Sequence, residues 1–257
     1  MVLLQSMKVS ATVALLLASG SLSAPLTAQA PVLELDHFYL VVPPGAAEAV
    51  QALRHAGLAI DTRVTRHESE GTASLAVFFD NAYLELLWVD SSVTVDSAHR
   101  QDLRDFLRAA AWRESGASPV GIGLHLLSGS PADLGVPVRV DSAPNIGPGA
   151  DYIVLRQPAE SLAADLFIMP SDRAVTAWLP RFRSRRPDLF AHPMGSRRIT
   201  RIVIHGPPAH RPRAADLDLR LIHFEPDASA YVVVEFAGTQ QAQVWDFRPA
   251  LPLVLRP

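Results

Sequence analysis

The stretch Leu35-Asp36-His37-Phe38-Tyr39-Leu40-Val41-Val42 is the strongest structural signal in the chain, because nearly every position is apolar, aromatic or β-branched. It stops at Pro43-Pro44-Gly45, as a strand is expected to do. A run that is apolar on both faces is typical of a strand buried in the middle of a sheet. Alternation places Leu35, His37, Tyr39 and Val41 on one face of it. We therefore expect a central strand with a histidine on one buried face.

The residues that follow this strand predict a β-α-β-β-β module. The spacing of apolar residues from Ala46 to Ala56 indicates a short amphipathic helix that ends at Gly57. Three strand-like runs come next, at residues 58–66, 73–79 and 83–89, separated by Glu70-Gly71 and Asp80-Asn81.

A second, degenerate copy of this module is predicted further along. A polar helical stretch at residues 98–114 leads into the strand-like run at 120–127, and weaker runs follow at 136–140, 152–155 and 164–169. Both modules together occupy residues 31–172. The fold class predicted from the strand pattern is α+β, with repeated βαβββ modules.

Residues 173–196 interrupt the pattern with prolines and closely spaced arginines, which predicts a linker or long loop. Arginines between Arg173 and Arg201 are either solvated or form a surface for an acidic substrate or a phospholipid headgroup. Strand-like runs resume at 199–205, 217–224, 231–236 and 244–247, and Ala230-Tyr231 repeats Ala82-Tyr83 at the start of a strand. Residues 197–257 are therefore predicted to form a third, degenerate βαβββ-like module.

Residues 1–30 have the pattern of a secretory signal peptide. Lys8 supplies the charge, Val13 to Ala18 supply a short apolar run, and Ala28-Gln29-Ala30 supplies an A-x-A cleavage site. The apolar run is well short of the roughly 20 residues that a membrane span needs. We expect cleavage after Ala30 and a secreted or periplasmic protein.

Composition narrows the function. The chain has 257 residues, 49% of them hydrophobic, and a formal net charge of −3, which fits a soluble globular protein and argues against a nucleic-acid binder. It has no cysteine, and Lys8 is its only lysine, so catalytic thiols and Schiff-base lysines in the mature chain are excluded. Motifs of serine hydrolases, zinc proteases and dinucleotide enzymes are absent. A small-molecule partner is expected, and the sequence does not indicate an oligomeric state.

Glu85 is the anomaly among the predicted strands, since an apolar strand with a glutamate needs a partner for the carboxylate. His37 is the simplest partner. A histidine nitrogen and a carboxylate oxygen that converge in a cavity suit Zn, Fe, Ni or Mn. A His–Glu hydrogen bond or an Arg–Glu pair in an ordinary core is the alternative.

Three short motifs together resemble the glyoxalase-like branch of the vicinal oxygen chelate (VOC) superfamily. They are Leu35-Asp36-His37, then Arg66-His67 followed by Gly71-Thr72, and Tyr83-Leu84-Glu85-Leu86. The resemblance continues more weakly through Leu166-Phe167-Ile168-Met169 and His192-Pro193-Met194-Gly195. It implies a glyoxalase/bleomycin-resistance/dioxygenase-like cup with the first and fourth strands of each module at its floor.

The resemblance also implies a divalent metal ion held by His37 and Glu85. His125 is the third candidate ligand, four residues beyond the position that matches His37, and Glu235 is a weaker substitute. The function implied is a metal-dependent lyase, isomerase or dioxygenase acting on a small oxygen-rich molecule, with Glu85 as ligand or catalytic base. The alternative is a metal-free ligand-binding protein of the same fold, with the ligand oriented by Tyr39, Arg66, His67 and His37.

Overall fold

The computed structural model describes residues 31–95, 100–142, 150–157, 161–195, 198–237 and 243–257. The predicted signal peptide and its cleavage site lie outside these residues. The first group of elements is β1 (Val32–Val41), α1 (Ala47–His55), β2 (Asp61–His67), β3 (Thr72–Phe78), β4 (Tyr83–Val89), α2 (Arg100–Ala110) and α3 (Trp112–Ser115). The second group is β5 (Val120–Ser128), β6 (Val138–Ser142), β7 (Asp151–Leu155), β8 (Asp165–Ile168) and α4 (Val175–Arg185). The third group is β9 (Arg198–Gly206), β10 (Asp218–Arg220), β11 (Ile222–Pro226), β12 (Tyr231–Ala237), β13 (Trp245–Asp246) and β14 (Leu253–Arg256).

The first sheet contains both predicted modules. Its strand order is β2-β3-β4-β1-β5-β8-β7-β6, and β10 also pairs with β1. The fourth strand of each module lies parallel to the first, β4 beside β1 and β8 beside β5, while β1 and β5 are antiparallel. The α+β class with a large mixed sheet is confirmed, and so is the predicted pairing of β1 with β4. In the second module the α-helix is replaced by a single 3-10 turn at Pro131–Asp133.

The second sheet has the order β11-β9-β12-β14-β13. Its strand directions repeat those at the centre of the first sheet. β11 is parallel to β9, β14 is parallel to β12, and β9 and β12 are antiparallel. This wiring corresponds to two shortened modules side by side, whereas the sequence predicts one βαβββ-like module over residues 197–257. No α-helix follows β9 in the described part of this region, where 3-10 turns and β10 connect the strands.

One apolar core joins the two sheets. Alternate residues of β1, such as Leu33, Phe38 and Leu40, are buried together with Ile202 and Ile204 of β9. Helix α1 adds Ala49 and Leu53 to the same core and stops at Gly57, whose positive φ of 84° suits a residue without a side chain. The cup therefore lies on the opposite face of the first sheet, away from the second sheet.

Helix α4 lies within the segment predicted as a linker, so that prediction of a loop is wrong for Val175–Arg185. Val175 and Leu179, with the 3-10 turn at Pro187–Phe190, pack on Phe78 at one side of the cup. Apolar residues at helical spacing bind the segment to the sheet, although Pro180 and the arginines suggested a break. Arg183 forms an ion pair with Asp80 at 2.9 Å.

No helix in the described part of the chain is long and apolar enough to cross a membrane.

Candidate functional site: a carboxyl-rich aromatic cavity

The floor of the cup is shaped by two glycines of β5. Gly123 is opposite His37, and Gly121 is opposite Tyr39. A Cβ atom at Gly123 would come within 2.4 Å of the His37 ring, and one at Gly121 within 2.0 Å of the Tyr39 ring. The absence of side chains at these two positions therefore lets the imidazole and the phenol lie across the neighbouring strand.

A cavity opens above this floor, with about 590 Å³ of free space including the solvent at its mouth. This size suits a small-molecule ligand. Its walls come from β1, β2, β4, β7, β8, α2 and the turns between them. The lining residues are His37, Tyr39, His67, Glu70, Tyr83, Glu85, Leu87, Phe106, Tyr152, Asp165, Phe167 and Met169.

Asp36 holds the His37 ring from behind. A register shift between Leu35 and His37 places an extra residue, Asp36, in β1, and this residue is fully buried. One carboxylate oxygen of Asp36 lies 2.8 Å from His37 Nδ1, and the other accepts the backbone N–H of Val175, at the start of α4, at 2.6 Å. The hydrogen bond favours the tautomer with its proton on Nδ1, which leaves the lone pair on Nε2. The ring of Tyr83 stacks on the imidazole with centroids 4.6 Å apart.

Electrostatics favour the charged form of His37. Burial by itself lowers the pKa of His37, but the hydrogen bond and charge of Asp36 and the charges of Glu85 and Glu70 raise it above its usual value of 6.5. The imidazolium is therefore retained to a higher pH than in a free histidine.

Glu85 lies on β4 beside Tyr39 in the register and lines the same cavity as His37. Ser74 on β3 donates a hydrogen bond to Glu85 Oε1 at 3.4 Å, and the Ser74 hydroxyl is 3.3 Å from His67 Nε2. The structure thus brings His37, Glu85, Tyr39 and His67 of the predicted site together.

Two further carboxyl groups face the cavity. Asp165 accepts a hydrogen bond from the Tyr39 hydroxyl at 3.2 Å, and Glu70 accepts one from Tyr152 at 3.4 Å. Burial raises the pKa of Asp165 to about 6, with a smaller upward contribution from Asp102. Burial also raises the pKa of Glu70. The charge of His67 lowers this pKa, and the charge of Glu85 raises it further.

Two predicted site residues lie elsewhere. Arg66 is exposed on the other face of β2, where its Nε donates to Asp90 at 3.2 Å, and it is not among the residues that line the cavity. His125 does not line the cavity. Its ring is buried, with Nδ1 3.7 Å from Asp36 and Nε2 3.5 Å from Glu34. The register explains this, because His125 is opposite Glu34 and therefore two positions beyond the end of the cavity floor.

The remaining candidate, Glu235, is on β12 of the second sheet, whereas the cup belongs to the first sheet. It pairs with Arg201 at 3.6 Å. No pattern in the sequence had assigned a role in the site to Asp36, Glu70, Asp165 or the two floor glycines. The alternation of Gly121 and Gly123 along a strand was the available signal, since strand glycines often mark a close approach of another group.

A metal centre of the predicted composition does not fit these residues. His37 and Glu85 share the cavity, but His125 faces Asp36 and Glu34 instead of joining them. No group of three or more His, Cys, Asp or Glu side chains in the described ranges is arranged to hold a metal ion. A protein zinc site usually has at least three such ligands.

Comparisons with known proteins agree with the resemblance over the first part of the chain. Residues 35–120 match the model of a family described as a glyoxalase-like domain, which confirms the VOC-type resemblance for that region. The structure is similar to that of a hypothetical protein from Staphylococcus aureus at 11% identity and a TM-score of 0.48, over 88% of this chain and 99% of that one. No curated protein matches the sequence.

Proposed function

We propose that the cup cavity binds a small molecule and that His37, held by Asp36, transfers a proton to or from it. The observation that carries this proposal is the 2.8 Å contact between His37 Nδ1 and the buried Asp36 carboxylate, on a ring that lines the cavity. An imidazole fixed at one nitrogen presents the other to a ligand in a defined orientation.

The pKa direction supports proton transfer. Burial lowers the pKa of His37, but Asp36, Glu85 and Glu70 together raise it above its usual value, so the neutral and charged forms interconvert at a higher pH than in a free histidine. Tyr83 beside it has a pKa raised well above 10, chiefly by burial and then by the charge of Glu85. Its hydroxyl therefore stays protonated and can donate a hydrogen bond to an oxygen of the ligand.

The reaction class that fits is reversible removal of a proton from a carbon next to a carbonyl group. The C–H proton moves to His37 Nε2, and the electron pair of that bond moves into the carbonyl to give an enolate. Glu85, on the neighbouring strand, lines the same cavity and is the second proton acceptor. The step is balanced without an oxidant or reductant.

A metal-dependent lyase, isomerase or dioxygenase is the second candidate. Its support is that His37 and Glu85, the two ligands implied by the resemblance, do line one cavity. The lack of a third ligand beside them in the described residues favours the metal-independent proposal.

Deuterium exchange tests the proposal. The purified mature protein is incubated in D2O with hydroxyacetone or aminoacetone, and loss of the α-proton signals is followed by NMR. We expect acceleration over buffer that is lost in His37→Gln and retained in Val233→Ala, a change on the second sheet. Equal rates for wild type, His37→Gln and buffer would overturn the proposal. Exchange abolished by a chelator, with about one equivalent of metal per chain, would establish the metal-dependent candidate.

We also propose that the protein is secreted or periplasmic after cleavage of a signal peptide. Mass spectrometry of periplasmic or secreted protein should find Pro31 as the first residue, and an intact N-terminus in the cytosol would contradict it.

A further inference from the structure

The charge of the cavity is not balanced by its own walls. Three carboxyl groups line it, those of Glu70, Glu85 and Asp165, and no arginine or lysine is among its described lining residues. Each of the three accepts a hydrogen bond from a neutral hydroxyl, of Tyr152, Ser74 and Tyr39 respectively. These hydroxyl donors hold the carboxylates in place without adding a positive charge.

The cationic groups nearby compensate this negative charge only in part. Charge on His37 is matched by Asp36, which is hydrogen-bonded to it. Arg139, the guanidinium near Asp165, is engaged by two other carboxylates, Asp102 at 2.9 Å and Asp141 at 2.5 Å. His67 acts on Glu70 and lowers its pKa, so His67 is one partly compensating group in the wall.

Aromatic rings make up most of the remaining wall. Phe167 is at their centre, with its centroid 5.3 Å from His37, 5.6 Å from Tyr152 and 6.5 Å from Tyr39. Phe106 of α2 continues the wall beyond Tyr39, with ring centroids 6.1 Å apart. The faces of aromatic rings attract cations, and ammonium groups are bound in such aromatic cages.

We infer that the ligand of this cavity is a small organic cation whose ammonium group sits among the aromatic rings and the carboxylates of Glu70, Glu85 and Asp165. This deepens the proposed function, on which it rests only in that the cavity binds a small molecule. A neutral or anionic ligand would leave the three carboxyl groups of this cavity without a counter-charge from the ligand.

Proton release on binding is a second consequence. Burial raises the pKa of Glu70 and raises that of Asp165 to about 6, so Asp165 is partly protonated in mildly acidic solution. A bound cation favours the ionised forms, so affinity for it should increase between pH 5 and 7. The charged and titratable groups that act on these two carboxyls are His67, Glu85, Asp102, Tyr152, Tyr39, Arg139 and Asp105.

Three probes of one shape separate charge from size. Choline carries a trimethylammonium group, 3,3-dimethylbutan-1-ol is its neutral carbon analogue, and 3,3-dimethylbutanoate is a related anion. Titration calorimetry and NMR of the aromatic resonances would be performed with the full mature protein at pH 7. We expect choline to bind about tenfold or more tightly than the alcohol, and the anion not to bind, because a desolvated cation–π contact and opposite charge act together.

Matched variants locate the effect. Glu85→Gln should weaken choline binding by roughly three- to tenfold and leave the affinity for the alcohol unchanged, because the variant keeps the shape of the side chain and removes one charge. Glu68→Gln is the control, because Glu68 is exposed in the turn after β2 and its replacement changes the net charge equally. Equal losses in both variants would assign the effect to overall charge and overturn the inference.

The remaining outcomes are also decisive. Equal affinity for choline and the alcohol, or preference for the anion, would overturn the cationic ligand while the cavity stays a binding site. No binding of any probe would also overturn it, and the exchange of hydroxyacetone protons, which needs no cationic group, would then decide the proposed function separately.

Discussion

The two sheets have the same strand wiring at their centres but different residues across the central pair. In the first sheet, His37 and Tyr39 on β1 face Gly123 and Gly121 on β5. In the second sheet, the corresponding pairs are Val203 with Val233 and His205 with Tyr231. The valines form a closed apolar cluster with Val254, and the rings of His205 and Tyr231 stack at 4.4 Å. The same strand topology thus leaves room for side chains between the central strands where glycine stands opposite them, and is filled where two valines meet.

The ionisable groups differ in the same way. On the first floor, Asp36 and His37 are buried and hydrogen-bonded. On the second, Arg201 and Glu235 form a pair in contact with solvent. Buried groups shift each other's pKa values strongly, whereas solvated pairs contribute little.

The largest effect is expected from placing a valine, the residue found between the central strands of the second sheet, at Gly123 of the first sheet. Gly123→Val places methyl groups where the His37 ring lies, and should cost about 3 kcal/mol, the upper end for overfilling a packed site. Denaturant unfolding gives the stability, and NMR gives the His37 pKa, which should return towards 6.5. Val233→Ala on the second floor should leave that pKa unchanged. Wild-type stability and an unchanged His37 signal in Gly123→Val would contradict the floor geometry.

Removing the Asp36 charge should have the next largest effect. Asp36→Asn is expected to cost about 2 kcal/mol, because it weakens charge-assisted hydrogen bonds to His37 and to the N–H of Val175. Burial lowers the pKa of His37, but Asp36 and the nearby carboxylates raise it above 6.5 overall. The His37 part of this stability is therefore complete below pH 6.5 and lost as the pH rises through the raised pKa.

Unfolding at several pH values between 5 and 9 measures the effect of Asp36→Asn. The deficit should be greatest at the acidic end. Asp61→Asn, at another buried carboxylate of the same sheet, is the control. Its loss of stability should not become smaller as the pH rises. A constant deficit for Asp36→Asn would assign its whole effect to the Val175 contact.

Asp165→Asn should be stabilising by about 1–2 kcal/mol at neutral pH, since one pKa unit corresponds to ~1.4 kcal/mol. Burial raises the pKa of Asp165 from 3.8 to about 6, so the folded state binds a proton that the unfolded state releases. Wild-type stability therefore falls between about pH 4 and 6, and the advantage of the variant grows over that range. Thermal unfolding at pH 4 and 7.5 measures it, with the exposed Asp151→Asn as control. A loss of stability at pH 7.5 would show that the Asp165 charge is compensated.

The smallest effect is expected from the partly exposed ion pairs of the second sheet. Arg201→Gln removes pairs to Glu225 and Glu235, and should change stability by less than about 0.5 kcal/mol because these groups are partly solvated. Unfolding in low and high salt measures it. A cost above about 1 kcal/mol would place the Arg201 pairs in the same class as the buried Asp36 pair.

The sequence predicted the first sheet better than the site. Apolar strand runs and the glycine stop after α1 depend on local chemistry, so their order could be predicted from neighbouring residues. The partner of Glu85 could not be, because Ser74 reaches it only through the β3–β4 register. The position of His125 depends on the extra residue in β1, and a shift of this kind leaves no mark in the alternation of β5. Helix α4 was missed because Pro180 and the arginines outweighed its apolar spacing.

The pairing of β10 with β1 bears on how the protein is made. Val32, Leu33 and Glu34 pair with Asp218, Leu219 and Arg220, residues that leave the ribosome long after β1. Until then, the start of β1 lacks the neighbour that continues the line of β4. Contacts so distant along the chain close slowly, and an unpaired strand edge invites association with other chains. Vectorial synthesis therefore leaves the first sheet incomplete until residue 220 has emerged, and a chaperone that shields β1 during this interval would raise the yield of folded protein.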